Sequence, residues 1–148
     1  MIGHQKIIAY FDNAINKNKL SRSYCFVGSD HVGKKTAARQ IASKLLKVDD
    51  TKLDISPDFY YVARQEEEKT GKLKKEISIA QARLLKDRMG RKSWFGEYQV
   101  AIIDEAELLN EESANALLKM LEEGGNNVFF PLTTDDNHLL PTIRSRCQ

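Results

Sequence analysis

The segment YCFVGSDHVGKKTAARQIASKL, residues 24–45, constrains the fold more than any other part of the chain. It opens with a short apolar run, residues 24–27, that is typical of a strand covered on both faces. Gly28 and Gly33 follow with the spacing G-x-x-x-x-G-K that ends at Lys34, and apolar residues then recur at helical intervals. This order of strand, loop and helix predicts an α/β fold in which a helix N-terminus can hold a phosphate group.

The loop is suited to nucleotide phosphates except at one position. Its glycines have no Cβ, so backbone N–H groups can approach phosphate oxygens, and Lys34 can neutralise the terminal phosphates. The next residue normally carries a hydroxyl that binds Mg²⁺, whereas Lys35 has no lone pair to offer. Thr36 lies about 100° further around the helix and is not a simple substitute. We therefore expect a nucleotide-binding loop that is impaired in metal positioning and in hydrolysis.

Composition excludes several classes of protein. A chain of 148 residues with 41% hydrophobic and 30% charged residues fits one soluble globular domain. No apolar run approaches the roughly 20 residues of a membrane span, so we expect a cytoplasmic protein with no membrane partner. A net charge of +2 is too small to indicate nucleic-acid binding by the surface as a whole. The two cysteines, Cys25 and Cys147, form no metal-binding pattern, and we expect reduced thiols and no zinc.

Two helices are recognisable from short patterns. Residues 5–17 carry apolar side chains at helical spacing, which predicts an amphipathic helix. Ser78 and Gln81 form a capping-box pattern for a second helix, which Gly90 ends. Residues 48–56 are polar and predict turns, and a second strand is predicted after them at residues 59–63.

Two further segments leave a structural and a nucleic-acid interpretation open. Residues 64–76 are acidic, then basic, on either side of Gly71, which favours a solvated hairpin over contact with a phosphate backbone. Trp94, Phe95 and Tyr98 precede a predicted strand, and we interpret them as packing anchors rather than as a base-stacking platform.

The third predicted strand, VAIIDEAE at residues 100–107, brings two carboxylates to a sheet edge. Asp104 and Glu105 follow four apolar residues and emerge at the carboxyl end of the strand, where ligands bind in open α/β sheets. Asp104 can hold the water shell of a metal ion, and Glu105 can polarise an attacking water. The strand thus supplies the expected second half of a nucleotide site.

A fourth strand is predicted at residues 127–132, after a helix capped by Asn110. Pro131 is unusual for a central strand because it cannot donate a hydrogen bond to the ladder. Thr133 and Thr134 follow, so their hydroxyl groups are expected beside the same site.

The motifs DEAE, LLNEESANALLKMLEE, FFPLTTDD and LLPTIRSRCQ resemble the AAA+ module of bacterial DNA polymerase III clamp-loader subunits, the delta prime subunits most of all. The resemblance covers essentially the whole chain. It implies a three-layer αβα P-loop domain over residues 1–148, with a mainly parallel sheet. It also implies truncation before the fifth strand, the helical lid and the collar domain. Without that fifth strand, the phosphate loop strand becomes an unpaired edge.

The resemblance also implies roles for individual residues. Arg146, in the triplet Ser-Arg-Cys, would be an arginine finger that reaches into the ATP site of a neighbouring subunit and stabilises charge on the phosphoryl group. Glu105 would be the catalytic base. The implied nucleotide-binding residues are Gly28, Gly33 and Lys34 of the Walker A loop with Lys35 and Thr36 beside it, Asp104 as the Walker B metal ligand, and Thr134, with Thr133 as the alternative, as the sensor.

The implied function is a nucleotide-binding stator subunit of the clamp loader, which uses ATP to load the sliding clamp onto DNA. Lys35 favours this role over that of a hydrolysing tau/gamma motor subunit, whereas the retained acid Glu105 favours the motor. A free-standing P-loop phosphotransferase is a third hypothesis, for which the sequence offers no acceptor pocket. The implied cofactor is weakly bound ATP with Mg²⁺, and the protein's own ATPase activity is expected to be weak or absent. The implied partners are the delta and tau/gamma subunits and, through the complex, the sliding clamp and primer–template DNA.

Overall fold

The computed structural model describes residues 5–17, 20–29, 33–90, 98–122, 126–135 and 138–145. Within these ranges the chain forms helices and strands in an alternating order typical of an α/β domain. The helices are α1 (Gln5–Asn16), α2 (Lys34–Leu46), α3 (Ile79–Met89), α4 (Glu111–Glu122) and α5 (Pro141–Arg144), with 3₁₀ helices at Asp50–Ile55 and Ala106–Leu108, and the strands are β1 (Phe26–Val27), β2 (Phe59–Val62), β3 (Gln99–Ile103) and β4 (Asn127–Thr133).

The four strands form one parallel sheet in the order β1-β4-β3-β2. Side chains of α1 and α2 pack on one face of the sheet, and those of α3, α4 and α5 pack on the other. This arrangement confirms the three-layer αβα fold. None of the described helices is long and apolar enough to cross a membrane.

Strand β1 lies at an edge of the sheet and is shorter than predicted. Its regular pairing is limited to Phe26 and Val27, and Val27 is 49% exposed. Tyr24 and Phe26 pack into the core on one face and Cys25 on the other, as expected of a strand covered on both faces. The N–H of Phe129 on β4 donates to the carbonyl of Arg22 at 2.7 Å, so alternate residues of β4 face β1. The next residue to face it, Pro131, has no N–H to donate, which interrupts the ladder before Phe26.

The face that carries α1 and α2 is rich in aromatic side chains. Phe11 of α1 packs edge-on against Tyr24, with ring centroids 4.6 Å apart, and against Phe130 of β4 at 5.8 Å. The polar segment 48–56, for which turns were predicted, contains the 3₁₀ helix and buries Leu53 completely in the same core.

The capping box and the hairpin are both present. The Ser78 hydroxyl accepts a hydrogen bond from the backbone N–H of Gln81, and the Gln81 side chain accepts one from the N–H of Ser78. In the segment 64–76, Glu67 and Lys72 are paired through their backbones, and Gly71 adopts a φ of +69° at the turn. Both local predictions are therefore confirmed.

Candidate nucleotide site

The phosphate loop meets α2 at a glycine with a left-handed backbone. Gly33 has a φ of 89° and makes no side-chain capping bond, so the first N–H groups of α2 are not capped from this position. The Lys34 ammonium donates hydrogen bonds to the carbonyls of Gly28, at 2.5 Å, and Thr133, at 3.1 Å. The N–H of Gly28 also donates to the Thr133 carbonyl. These bonds join the carboxyl ends of β1 and β4 beneath the helix N-terminus.

A cavity of about 680 Å³ opens at this edge of the sheet, a size within the range of small-molecule sites. Most of the site residues predicted from the sequence line this cavity. Gly28 is joined by hydrogen bonds to two of the lining residues, Lys34 and Thr133. The lining consists of Gly33, Lys34, Lys35, Thr36, Asp104, Glu105, Glu107, Leu132, Thr133 and Thr134.

Asp104 is held by a tyrosine from the neighbouring strand. The Tyr61 hydroxyl donates to Oδ2 of Asp104 at 2.5 Å, and the N–H of Glu105 donates to Oδ1 at 3.0 Å. Partial burial, the hydrogen bond to Asp104 and the nearby negative charges raise the pKa of Tyr61 well above its usual value. The phenol therefore stays protonated at neutral pH and remains a hydrogen-bond donor.

Glu105 is paired with Arg64, which lies two residues after the end of β2. Nε and Nη2 of Arg64 donate to Oε1 and Oε2 of Glu105 at 3.1 and 3.0 Å, a bidentate pair. The backbone of Glu105 is left-handed, with a φ of 49°, a conformation that costs a residue with a side chain roughly 1–2 kcal/mol. The acid predicted to act as a base is thus neutralised by a planar cation within the same chain.

Lys35 completes this group of contacts. Its ammonium lies 4.3 Å from the centroid of the Tyr61 ring, a cation–π distance. Thr36 is exposed and lines the cavity one residue further along α2.

The residues present do not fit the Mg²⁺ ion that the AAA+ fold implies. Mg²⁺ requires oxygen ligands at near-octahedral positions, yet Lys35 brings a positive charge instead of an oxygen ligand. Each oxygen of Asp104 also already accepts one hydrogen bond from a protein donor. Among the described residues, no group of three or more His, Cys, Asp or Glu side chains could hold a metal ion.

Three residues of the site were not predicted from the sequence: Tyr61, Arg64 and Glu107. Tyr61 and Arg64 come from the β2 edge, and the pairing of Val62 with Ile103 places Arg64 level with Glu105 when the register is continued. No local pattern in the sequence specifies that register. Glu107 lines the cavity, and its Oε2 is shielded from solvent with no hydrogen-bond partner.

Other predicted residues differ in how they are placed. Thr134 lines the cavity and is exposed, whereas Thr133 is buried and its hydroxyl bonds to the backbone of Asp135. Arg146, the predicted arginine finger, lies outside the described residues, as do Trp94 and Phe95.

Solved structures support the same fold. A Thermotoga maritima DNA polymerase III gamma subunit-related protein matches 93% of this chain and 44% of its own, with a TM-score of 0.67 and 20% identity. The T158V form of Thermotoga maritima RuvB matches 97% of this chain and 41% of its own, with a TM-score of 0.60 and 19% identity. The sheet order, the phosphate loop and the acids at the end of β3 define a P-loop domain of the AAA+ class.

Sequence relatives identify the family within that class. The tau/gamma subunit of DNA polymerase III from Haemophilus influenzae is 33% identical over 99% of this chain and 22% of its own length. The delta prime subunit from Pseudomonas aeruginosa is 36% identical over 62% of this chain and 26% of its own. A family model described as "DNA polymerase III, delta subunit" matches residues 3–148. The chain belongs to this DNA polymerase III family, and it spans about a quarter of the length of these two relatives.

Proposed function

We propose that this chain is the nucleotide-binding part of a stator subunit in a bacterial clamp loader, the assembly that uses ATP to load the sliding clamp onto DNA. Membership of the DNA polymerase III family supports the assembly. In this role the chain binds ATP weakly, hydrolyses it little or not at all, and supplies Arg146 to the ATP site of a neighbouring tau/gamma subunit. Delta is a further partner, and primer–template DNA is reached through the complex.

The observation that carries the stator role is the state of the two acids at the end of β3. Asp104 accepts a hydrogen bond from Tyr61, and Glu105 is paired with Arg64. A base that is neutralised by a bidentate cation polarises water poorly, because the charge that would attract the water proton is already compensated.

The segment that leads to Arg146 is anchored to the domain, which supports an arginine supplied from a rigid position. Helix α5 buries Ile143, and Leu139 before it is also buried. The Ser145 hydroxyl donates to the carbonyl of Thr142 and closes the end of the helix. An arginine finger depends on such positioning, because it contributes a fixed charge rather than a bond-making group.

A hydrolysing motor subunit of the same complex is the alternative. The tau/gamma relative from Haemophilus influenzae matches 99% of the chain, against 62% for the delta prime relative. The sequence also retains Glu105, the acid that a motor requires.

ATP turnover separates the two roles. The purified protein is assayed alone and reconstituted with delta and tau/gamma, as wild type, Arg146→Ala and Lys35→Thr. For a stator, the protein alone shows no turnover, and Arg146→Ala reduces turnover in the complex, by about 10³-fold at the affected site. Lys35→Thr leaves turnover in the complex unchanged, because the chemistry occurs in the neighbour.

Two controls define the interpretation. Arg146→Lys keeps the charge but not the planar fork and does not restore turnover. Arg83→Ala removes an exposed arginine of α3 and leaves turnover intact. Turnover by the isolated protein that disappears in Glu105→Gln would instead establish the motor.

A further inference from the structure

We infer that Tyr61 and Arg64 take the place of a metal ion at the acids Asp104 and Glu105. On this inference the site binds the polyphosphate of a nucleoside triphosphate without Mg²⁺. Lys35 supplies the positive charge that the metal would otherwise provide. The inference rests on the nucleotide-binding role proposed above. It concerns which groups of this chain neutralise the negative charge of the nucleotide phosphates.

The first step is the position of the two replacement groups. Strand β2 is the outer neighbour of β3, and its parallel register carries Arg64 to the level of Glu105. The guanidinium lies within 3.1 Å of both Glu105 oxygens, and the side chains of Arg64 and Glu105 are 24% and 41% exposed. A bidentate pair of this geometry gives the carboxylate the charge and the directed donors that a cation would supply.

The second step is that Asp104 also has protein hydrogen-bond donors on both of its oxygens. Tyr61 donates to one of its oxygens and a backbone N–H donates to the other. A metal ion that shares this carboxylate would compete with the tyrosine and the backbone donor for its lone pairs. It would then find the ammonium of Lys35 above the same ring, and like charges in one site repel each other.

The third step is the supply of positive charge to the phosphates. Lys34 and Lys35 both line the cavity at the N-terminus of α2, whose first turn contains no acidic residue. The helix dipole adds a partial positive charge at the same end. Asp104 and Glu107 line the cavity too and oppose an anion, which makes the expected affinity weak rather than absent.

The test is ATP binding to the purified protein by calorimetry, in EDTA and in excess Mg²⁺. For the wild type, the two dissociation constants agree within about twofold, since no metal–protein bond is gained. Lys35→Gln weakens binding in EDTA by about tenfold, the effect of one lost charge-assisted contact. Lys52→Gln, on the exposed face of the 3₁₀ helix, leaves binding unchanged.

A variant that restores the metal site gives the reverse result. The triple change Lys35→Thr, Tyr61→Phe and Arg64→Gln frees both acids and adds a hydroxyl, so that ATP binds at least about tenfold more tightly in Mg²⁺ than in EDTA. The matched control is Tyr10→Phe with Arg83→Gln, at exposed positions of α1 and α3. A thermal melt establishes that each variant is folded.

Three results would overturn the inference. One is wild-type binding that is tenfold or more tighter in Mg²⁺, and another is no ATP binding to the wild type in either buffer at millimolar ATP. The third is a folded triple variant without a preference for Mg²⁺. These results do not test the stator role. That role is measured by the effect of Arg146→Ala on ATP turnover by the neighbouring subunits.

Discussion

The ammonium of Lys34 donates a hydrogen bond to the carbonyl of Thr133, 3.1 Å away, across 99 positions of sequence. A second bond from the same ammonium reaches Gly28. The loop lysine is therefore a structural link between β1 and β4 as well as the expected phosphate ligand. An ammonium has three donors, so one of them is available to a phosphate while both carbonyls keep their bonds.

Replacing Lys34 with methionine should weaken both ATP binding and the stability of the fold. We expect ATP affinity to fall at least about tenfold, because a charge-assisted contact is lost. The free energy of unfolding should fall by about 1.5–3 kcal/mol for each lost hydrogen bond, because the donor is charged. Calorimetry and urea unfolding measure the two effects, with Lys119→Met on the exposed side of α4 as the control. Unchanged affinity in a folded variant would contradict the assignment of Lys34.

Two isoleucines test the position of the core. Ile41 of α2 is completely buried between the helix and the sheet, whereas Ile55 is 82% exposed at the end of the 3₁₀ helix. Ile41→Ala should reduce the free energy of unfolding by about 2–5 kcal/mol, because it removes buried methyl groups and leaves a cavity. Ile55→Ala should change it by less than about 0.5 kcal/mol. Equal losses, measured by chemical denaturation, would contradict the packing described for α2.

The capping box at the start of α3 should make a measurable contribution to the stability of the protein. Ser78→Ala removes the oxygen that accepts the N–H of Gln81 and should destabilise the protein by about 1 kcal/mol. Asn115→Ala, on the exposed face of α4, should not destabilise it, because alanine is the better helix former. Denaturation midpoints distinguish the two variants, and a loss in Asn115→Ala equal to that in Ser78→Ala would argue against a specific cap.

The pair of Arg39 and Asp54 should give stability a defined dependence on pH. The hydrogen bond and charge of Arg39 lower the pKa of Asp54 below its usual range. Because the folded value is the lower one, the stabilisation is complete above the unfolded pKa and is lost as the pH falls through the folded pKa.

Melting temperatures across the acidic range test this dependence. Asp54→Asn should melt below the wild type above about pH 5, and the difference should shrink as the pH falls through the lowered pKa of the folded state. Asp87→Asn, at an exposed position of α3, should follow the wild type throughout. A difference for Asp54→Asn that is constant with pH would show that the pair is not responsible.

The parts of the fold that local patterns determine were predictable. Four strands, the phosphate loop helix and the capped helix at Ser78 follow from apolar spacing, glycines and a cap. The grouping of Lys34 with Asp104 and Thr134 in one cavity followed from the rule that the carboxyl ends of parallel strands meet at one edge.

The parts that depend on pairing between distant segments were not predictable. Tyr61 and Arg64 gain their roles only from the register of β2 against β3, which no local pattern specifies. The short β1 results from a missing donor at Pro131, a residue more than 100 positions away. Leu53 lies in a polar stretch, and its burial depends on the groove between α2 and β2.

The two halves of the cavity differ in mechanical support. The acids follow β3, which pairs with a strand on each side. The phosphate loop follows β1, a two-residue edge strand whose hydrogen bonding to β4 is interrupted. Local opening begins where the fewest backbone bonds must break. The backbone hydrogen bonds of β1 should therefore open, and its amides exchange with solvent, while those of β3 remain intact.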